Sequence, residues 1–257
     1  MSIPAGGQFY PLLIDRLRGE PFLRLKRSQD IILTPPRPED AETLCMLMND
    51  PLVYEWSEIP SLPYELDLAQ RTLSQGRNVS DGALYTLQQA QSNAELMVIG
   101  SCPVDAIRLV LPGGTDALIG GIHITRCDHG EFLGPGGPET IDWDNCKEWQ
   151  EDNASLEPGD PEIVWTMGVY LSPEFHGRGI MTDAVNTVLH DWAIPRMGVR
   201  RMLVFTFENN IGSVKVFLKN GFKLLYTAKE HMTVRGRIRN VNVLEWKLVV
   251  DEDGMLN

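Results

Sequence analysis

The stretch Val169-Tyr170-Leu171-Ser172-Pro173-Glu174-Phe175-His176-Gly177-Arg178-Gly179-Ile180-Met181-Thr182 changes character twice in fourteen residues. It opens as the end of an aliphatic run from Ile163 to Leu171 that reads as a strand. A polar, glycine-containing turn follows from Ser172 to Gly179. A helix then runs from Ile180 to Ile194, with Met181, Ala184, Val185, Val188, Leu189 and Trp192 on one face. Glycine lets such a turn fold back so that its N–H groups converge. The first helical turn adds unpaired N–H groups and the positive end of the helix dipole. That concavity suits a pyrophosphate. Taken alone, the segment reads equally as an ordinary βα turn with glycine for steric reasons.

Downstream, Met202 to Phe207 is a strand, and Asn209-Asn210 caps a helix that reaches about Asn220, with Gly221 beyond its end. Phe222 to Thr233 and Arg239 to Val249 read as two strands around a basic turn at Arg235-Gly236-Arg237. Upstream, Ile31 to Leu33 is a short strand, stopped by Pro35 and Pro36. Pro38-Glu39-Asp40 opens a helix with the stripe Leu44, Leu47 and Met48, ended by Asn49-Asp50-Pro51. A second helix is expected from Tyr64 to Ser74 with Gly76 as C-cap, then strands at Ala83–Leu87, Leu96–Ile99 and Leu118–Ile124. Residues 127–160 fit no pattern and read as a long loop. The order predicts an α/β (α+β) domain with a mixed, mostly antiparallel central sheet and flanking helices. The expected organisation is an N-terminal extension (1–28), one domain (29–250) with an acidic loop insertion (127–161), and a C-terminal tail (251–257).

Net charge is −12, and residues 128–162 carry eleven acidic side chains against Lys147 alone, leaving about −2 for the rest. A broad basic face for nucleic acid is therefore disfavoured. No stretch has the apolar length of a membrane span, and the N-terminus lacks the order of a secretory signal. A cytoplasmic protein is expected. Cys45, Cys102, Cys127 and Cys146 show no paired spacing and read as thiols. His123, Cys127, His129 and Cys146 match no zinc spacing, so no metal is expected. The acidic insertion reads as a solvated loop or as a device steering a cationic amine. Arg235, Arg237 and Arg239 read as a charged hairpin tip or as partners of a coenzyme phosphate.

The turn resembles the phosphate-binding motif of the GNAT superfamily of N-acyltransferases, Gln/Arg-x-x-Gly-x-Gly/Ala between a strand and a helix. Here His176-Gly177-Arg178-Gly179-Ile180-Met181 stands in that context, matching at Gly179 and departing at His176 and Met181. Asn210-Ile211-Gly212-Ser213 followed by Val216-Phe217-Leu218-Lys219-Asn220-Gly221-Phe222 is similar to the family's Asn-x-x-Ser…Lys-x-Gly-Phe segment. Arg37-Pro38-Glu39-Asp40 through Asn49-Asp50-Pro51 and Pro63-Tyr64 resembles the opening of the ribosomal-protein N-acetyltransferase-like branch.

The resemblance implies a GNAT-like fold and transfer of acetyl from acetyl-CoA to a primary amine by direct attack. It implies that Val169, Tyr170 and Leu171 meet the pantetheine amides, that His176 to Thr182 hold the pyrophosphate, and that Asn210 and Ser213 flank the pantetheine arm. Phe217 occupies the position where many relatives carry a tyrosine acid. Relatives also place a glutamate where this chain reads Trp165-Thr166-Met167, so Glu162 or His123 is expected to handle the proton. The acceptor, a small-molecule or protein amine, and the oligomeric state are open. A non-catalytic acyl-CoA-binding regulator on the same fold is the alternative. A dinucleotide-binding oxidoreductase fits poorly, because Thr182 holds the third glycine position and Arg200-Arg201 stand where a ribose-binding acid belongs.

Overall fold

The computed structural model describes residues 2–4, 6–59 and 62–249. Ten strands lie in the order β1-β2-β3-β4-β5-β6-β7-β8-β10-β9. They are β1 (Ser2–Pro4), β2 (Leu13–Asp15), β3 (Pro21–Arg24), β4 (Ile31–Thr34), β5 (Ala106–Val110), β6 (Asp116–Arg126), β7 (Val164–Leu171), β8 (Arg201–Phe207), β9 (Lys223–Val234) and β10 (Arg237–Lys247). Every pairing is antiparallel except β7 with β8. The mixed, mostly antiparallel sheet is thus as expected. The N-terminal extension adds β1, β2 and β3 to one end of this sheet. The expected tail, 251–257, lies outside the described residues.

The helices are α1 (Ala41–Asn49), α2 (Pro51–Tyr54), α3 (Leu66–Gln89), α4 (Cys146–Ser155), α5 (Ile180–Val188), α6 (Ile194–Met197) and α7 (Ile211–Leu218). A π-helical turn, Leu189–Ala193, joins α5 to α6. The main core packs α5 and its continuation against the sheet, through Val185, Val188, Leu189 and Trp192 on Ile122, Trp165 and Val204. A smaller core sets α1 and α3 on the sheet through Leu44, Met48, Ala69, Leu73 and Leu118.

Three expectations need correction. The second helix does not stop at Gly76; it continues to Gln89, absorbing the strand expected at Ala83–Leu87. Its buried positions Ala69, Leu73, Ser80, Ala83 and Leu87 follow the helical period, and Gly76 shares that face. A Cβ at Gly76 would lie 3.1 Å from Pro36 Cγ, so this glycine serves close packing rather than termination.

Leu96–Ile99 joins no strand. Its amides are taken by side chain and loop instead, Met97 N donating to Gln8 Oε1 at 2.8 Å and Ile99 N to the Arg196 carbonyl at 2.8 Å. Strand β5, in which the buried arginine Arg108 stands among apolar neighbours, escaped the sequence reading.

The acidic insertion is not structureless. It contains a 3₁₀ turn at Gly130–Phe132 and α4. Asn153 fixes α4 to the sheet, donating to the carbonyls of Cys127 and Val164 and accepting from Val164 N. Gly130 presses on the same helix: a Cβ there would collide with the Cys146 carbonyl oxygen. Gly130→Ala is therefore expected to destabilise the insertion by about 1–3 kcal/mol through overpacking. Limited proteolysis should show faster cleavage within 127–161, and an unchanged cleavage rate would count against this packing.

Candidate active site

Strands β7 and β8 pair only at Val164–Arg201 and Trp165–Met202. Beyond Trp165 they diverge, although β7 runs on to Leu171 and β8 to Phe207. Backbone groups of β7 that face β8 are left without a strand partner, and a cleft of about 870 Å³ opens there. Its lining joins the end of β7, the glycine turn, the start of α5, α7, and the segment from Met48 to Ile59.

At one end lies the turn. Gly177 and Gly179 have φ of +72° and +80°, a region that other residues enter only at a cost. Gly179 caps α5, so the first N–H groups of that helix point into the cleft mouth. The His176 imidazole meets the Leu171 carbonyl through Nε2 at 2.8 Å, tying the turn to the strand before it. On the opposite lip stands α7, where Asn210 accepts from Ser213 N at 3.1 Å. Lys215 and Lys219 also line this lip and give it positive charge. Phe217 is buried against Phe222, with ring centroids 5.1 Å apart, and presents no hydroxyl.

At the other end, β6 places His123 on the cleft wall. Alternation along this strand buries Ile122 and Ile124 and turns His123 to the opposite face. Its Nδ1 lies 2.9 Å from Asp105 Oδ2. The Tyr170 ring is stacked on the imidazole at 6.0 Å, and a Cβ at Gly121 would lie 2.5 Å from that ring, so glycine is required for the arrangement. The His123 side chain is 45% exposed; the protein packed around it would by itself lower its pKa, but the hydrogen bond and charge of Asp105 outweigh that and raise the value. Burial, with Asp105 adding to it, pushes the Tyr170 hydroxyl up, so it stays a phenol. Glu58, Trp56 and Ile59 complete this end.

The cleft thus collects His123, Val169, Tyr170, Leu171, His176, Gly177, Gly179, Ile180, Met181, Thr182, Asn210, Ser213 and Phe217. Two expected residues do not line it. Arg178 is not among the lining residues; its guanidinium lies over the ring of Phe175, which does line the cleft, at 5.3 Å. Glu162 sits on an exposed turn before β7, at the end where β7 and β8 are still paired. At about 3.3 Å per strand residue, Gly168 is roughly 20 Å further along.

The basic turn is the tip of the β9–β10 hairpin, as one of its two readings had it, and two of its arginines do further work there. Arg235 donates to the carbonyls of Tyr54, Ser57 and Ile59, and Arg239 pairs with Glu55, so they clamp the wall of the cleft. Sequence reasoning missed Asp105, which looked like any loop aspartate, and Lys215, whose spacing of four from Lys219 was the available signal.

A strand pair splayed over a glycine turn, on a mixed, mostly antiparallel sheet, defines an α/β protein of the GNAT fold type. The chain belongs to the GNAT acetyltransferases, and the family model described as "Acetyltransferase (GNAT) domain" matches residues 30–223. A curated relative, the probable N-acetyltransferase YjcK of Bacillus subtilis (strain 168), is 31% identical over 70 residues. That match covers 27% of this chain and 38% of the relative, so it spans well under half of either.

A solved acetyltransferase (GNAT family) from Bacillus anthracis superposes with a TM-score of 0.56 at 12% identity, over 88% of this chain and 98% of the other. The ribosomal-protein-S5-alanine acetyltransferase from Vibrio fischeri gives a TM-score of 0.54 at 15% identity, over 91% and 98%. The likeness in fold therefore includes the branch that the Arg37–Tyr64 opening resembles. No helix among the described residues is long and apolar enough to cross a membrane.

Proposed function

We propose that this protein transfers acetyl from acetyl-CoA to a primary amine, with His123 as the base and Asp105 as its positioning residue. The observation that carries the reading is the polarity of one continuous cleft. A glycine turn, a helix N-terminus and two lysines stand at one end, and a carboxylate-paired imidazole at the other. The first end suits the pyrophosphate, with the unpaired β7 backbone taking the pantetheine amides. The acetyl thioester then lies between the strands, and the amine approaches from the side of Trp56, Glu58 and Ile59.

Asp105 accepts the Nδ1 proton of His123, which leaves Nε2 free to accept a proton. The amine nitrogen attacks the thioester carbonyl, His123 takes the proton released from nitrogen, and the coenzyme leaves as thiolate. Holding the two reactants together supplies much of the rate. Both α-amines of proteins and small-molecule amines fit this chemistry.

Calorimetric titration with acetyl-CoA, followed by a panel of amines, tests the proposal. Acetyl-CoA binding with acetylation of at least one amine supports it, and absence of binding sinks it. Phe217, lacking the hydroxyl of a tyrosine acid, favours a second reading as an acyl-CoA-binding regulator. Binding without turnover of any amine would select that reading.

Gly179→Val gives a sharper check on the coenzyme end. The space around a Cβ at this position is open, so the cost arises from the φ of +80° and from a side chain set in the pyrophosphate's place. Roughly tenfold or weaker acetyl-CoA binding is expected, since a strained backbone costs of order 1–3 kcal/mol. Unchanged affinity would move the phosphate site elsewhere.

A further inference from the structure

Outside the cleft, three potential ligand side chains meet across 100 residues of sequence. Glu131 Oε1 lies 3.3 Å from His129 Nδ1 and 3.0 Å from His231 Nε2, and the three atoms all fall within 4.8 Å of one another. His129 and Glu131 belong to the acidic insertion; His231 belongs to β9. The geometry points to a binding site for a divalent first-row transition metal, zinc being its natural probe, that fastens the insertion to the sheet.

Four features support the assignment. Donor atoms around tetrahedral zinc, bonded at about 2.0–2.1 Å, stand about 3.3 Å apart, which the two contacts to Glu131 already approach. Two imidazoles and one carboxylate are a donor set suited to zinc, nickel or copper, with a fourth position left open.

The backbone is also bent to bring the ligands in. In β9, Ala228 pairs with Val241 and Met232 with Arg239, so Lys229, Glu230 and His231 bulge opposite Asn240. Glu230 at the centre of that bulge has φ of +51°, and its N–H is held by Asn240 Oδ1 at 2.7 Å. A bulge re-aims side chains, and a non-glycine residue in this region is kept only where the surroundings enforce it. Here the result is a His231 side chain only 2% exposed, whose one polar contact among the described residues is Glu131.

Finally, aromatic rings flank the cluster. Phe132, Phe205 and Trp143 pack on the two imidazoles at centroid distances of 4.9, 4.2 and 4.9 Å. Such a shell fixes ring orientation.

The test uses the full-length protein stripped with a chelator and titrated with zinc chloride, with cobalt(II) as spectroscopic probe. One equivalent of zinc is expected, with a raised Tm, slower proteolysis of residues 127–161, and cobalt bands of low-symmetry nitrogen–oxygen coordination. His129→Asn and Glu131→Gln, which spare the buried ring of His231, should each weaken zinc binding roughly tenfold or more while circular dichroism stays that of the parent. Zinc failing to bind the parent would overturn the assignment and leave the cluster as a hydrogen-bonded carboxylate between two imidazoles. Equal binding to the parent and both variants would overturn it too, placing the metal at other side chains.

Discussion

Replacing His123 with glutamine is expected to lower kcat by about 10²–10⁴-fold, the usual contribution of a positioned base, with acetyl-CoA affinity unchanged. The selectivity follows from where the residue stands. His123 faces the end of the cleft away from the glycine turn, so phosphates bound at that turn, as proposed, would not depend on it. The pH profile supplies the decisive detail. Asp105 raises the His123 pKa, against the lowering effect of the protein packed around the ring. The proton-accepting form therefore becomes available only as pH rises above the ordinary histidine value of about 6.5. The parent's kcat/KM should fall on the acid side through a limb displaced upward from that value.

Asp105→Asn removes the charge that causes the displacement, so its limb should move to lower pH while its maximal rate declines. Loss of the limb in His123→Gln and its shift in Asp105→Asn are what a merely structural pair would not produce. If both variants kept the parent's pH profile, the proton would be leaving by another route.

Arg108→Met is expected to destabilise the fold by about 3–5 kcal/mol, the usual cost of removing one member of a buried ion pair. Arg108 lies on β5 with its side chain 2% exposed. Its guanidinium is bound to Asp40 and Thr34, and to Asp116 at 3.1 Å. Arg37 reaches the same Asp116 at 2.7 Å and also pairs with Glu20. The network therefore ties β3's approach, the start of α1 and the β5–β6 hairpin together. Methionine would fill the space but leave the Asp40 carboxylate buried without its cation.

The urea midpoint should drop with little change in slope, and Asp40→Leu added to Arg108→Met should recover part of the loss. Full stability in the single variant would show that the network is replaceable by solvent. The network also has an acid signature. Burial alone would raise the Asp116 pKa, but Arg37 and Arg108 lower it, so its contribution to stability is present above the ordinary carboxylate value and is lost as pH falls below it.

Much of the coenzyme end was legible along the chain. Gly177, Gly179, the aliphatic strand before them and the apolar stripe after them are local features, set by backbone conformation and a period of 3.6. Each could be read within about one turn of its neighbours. The same holds for Asn210, whose capping role depends on residues three positions away. Where local signals misled, a longer-range partner had intervened: Gly76 looked like a helix stop until Pro36 came to pack on it.

What the sequence determined by itself was therefore the sheet class, the strand–turn–helix proposed here as the pyrophosphate site, and the family to which these belong. Tertiary structure alone decided the end of the cleft proposed for the acceptor. His123 is an isolated histidine on a strand until Asp105, 18 residues away, closes on its Nδ1. Glu162 is close to the turn in sequence yet is carried away from the cleft by an extended strand. The charge of residues 128–162 says nothing of His231, which reaches Glu131 only through a bulge in a strand 100 residues later. The physical reason is common to all three. Backbone conformation is written in neighbouring residues, whereas the pairing of titratable side chains depends on strand register and on bulges, which are settled only when the sheet is assembled.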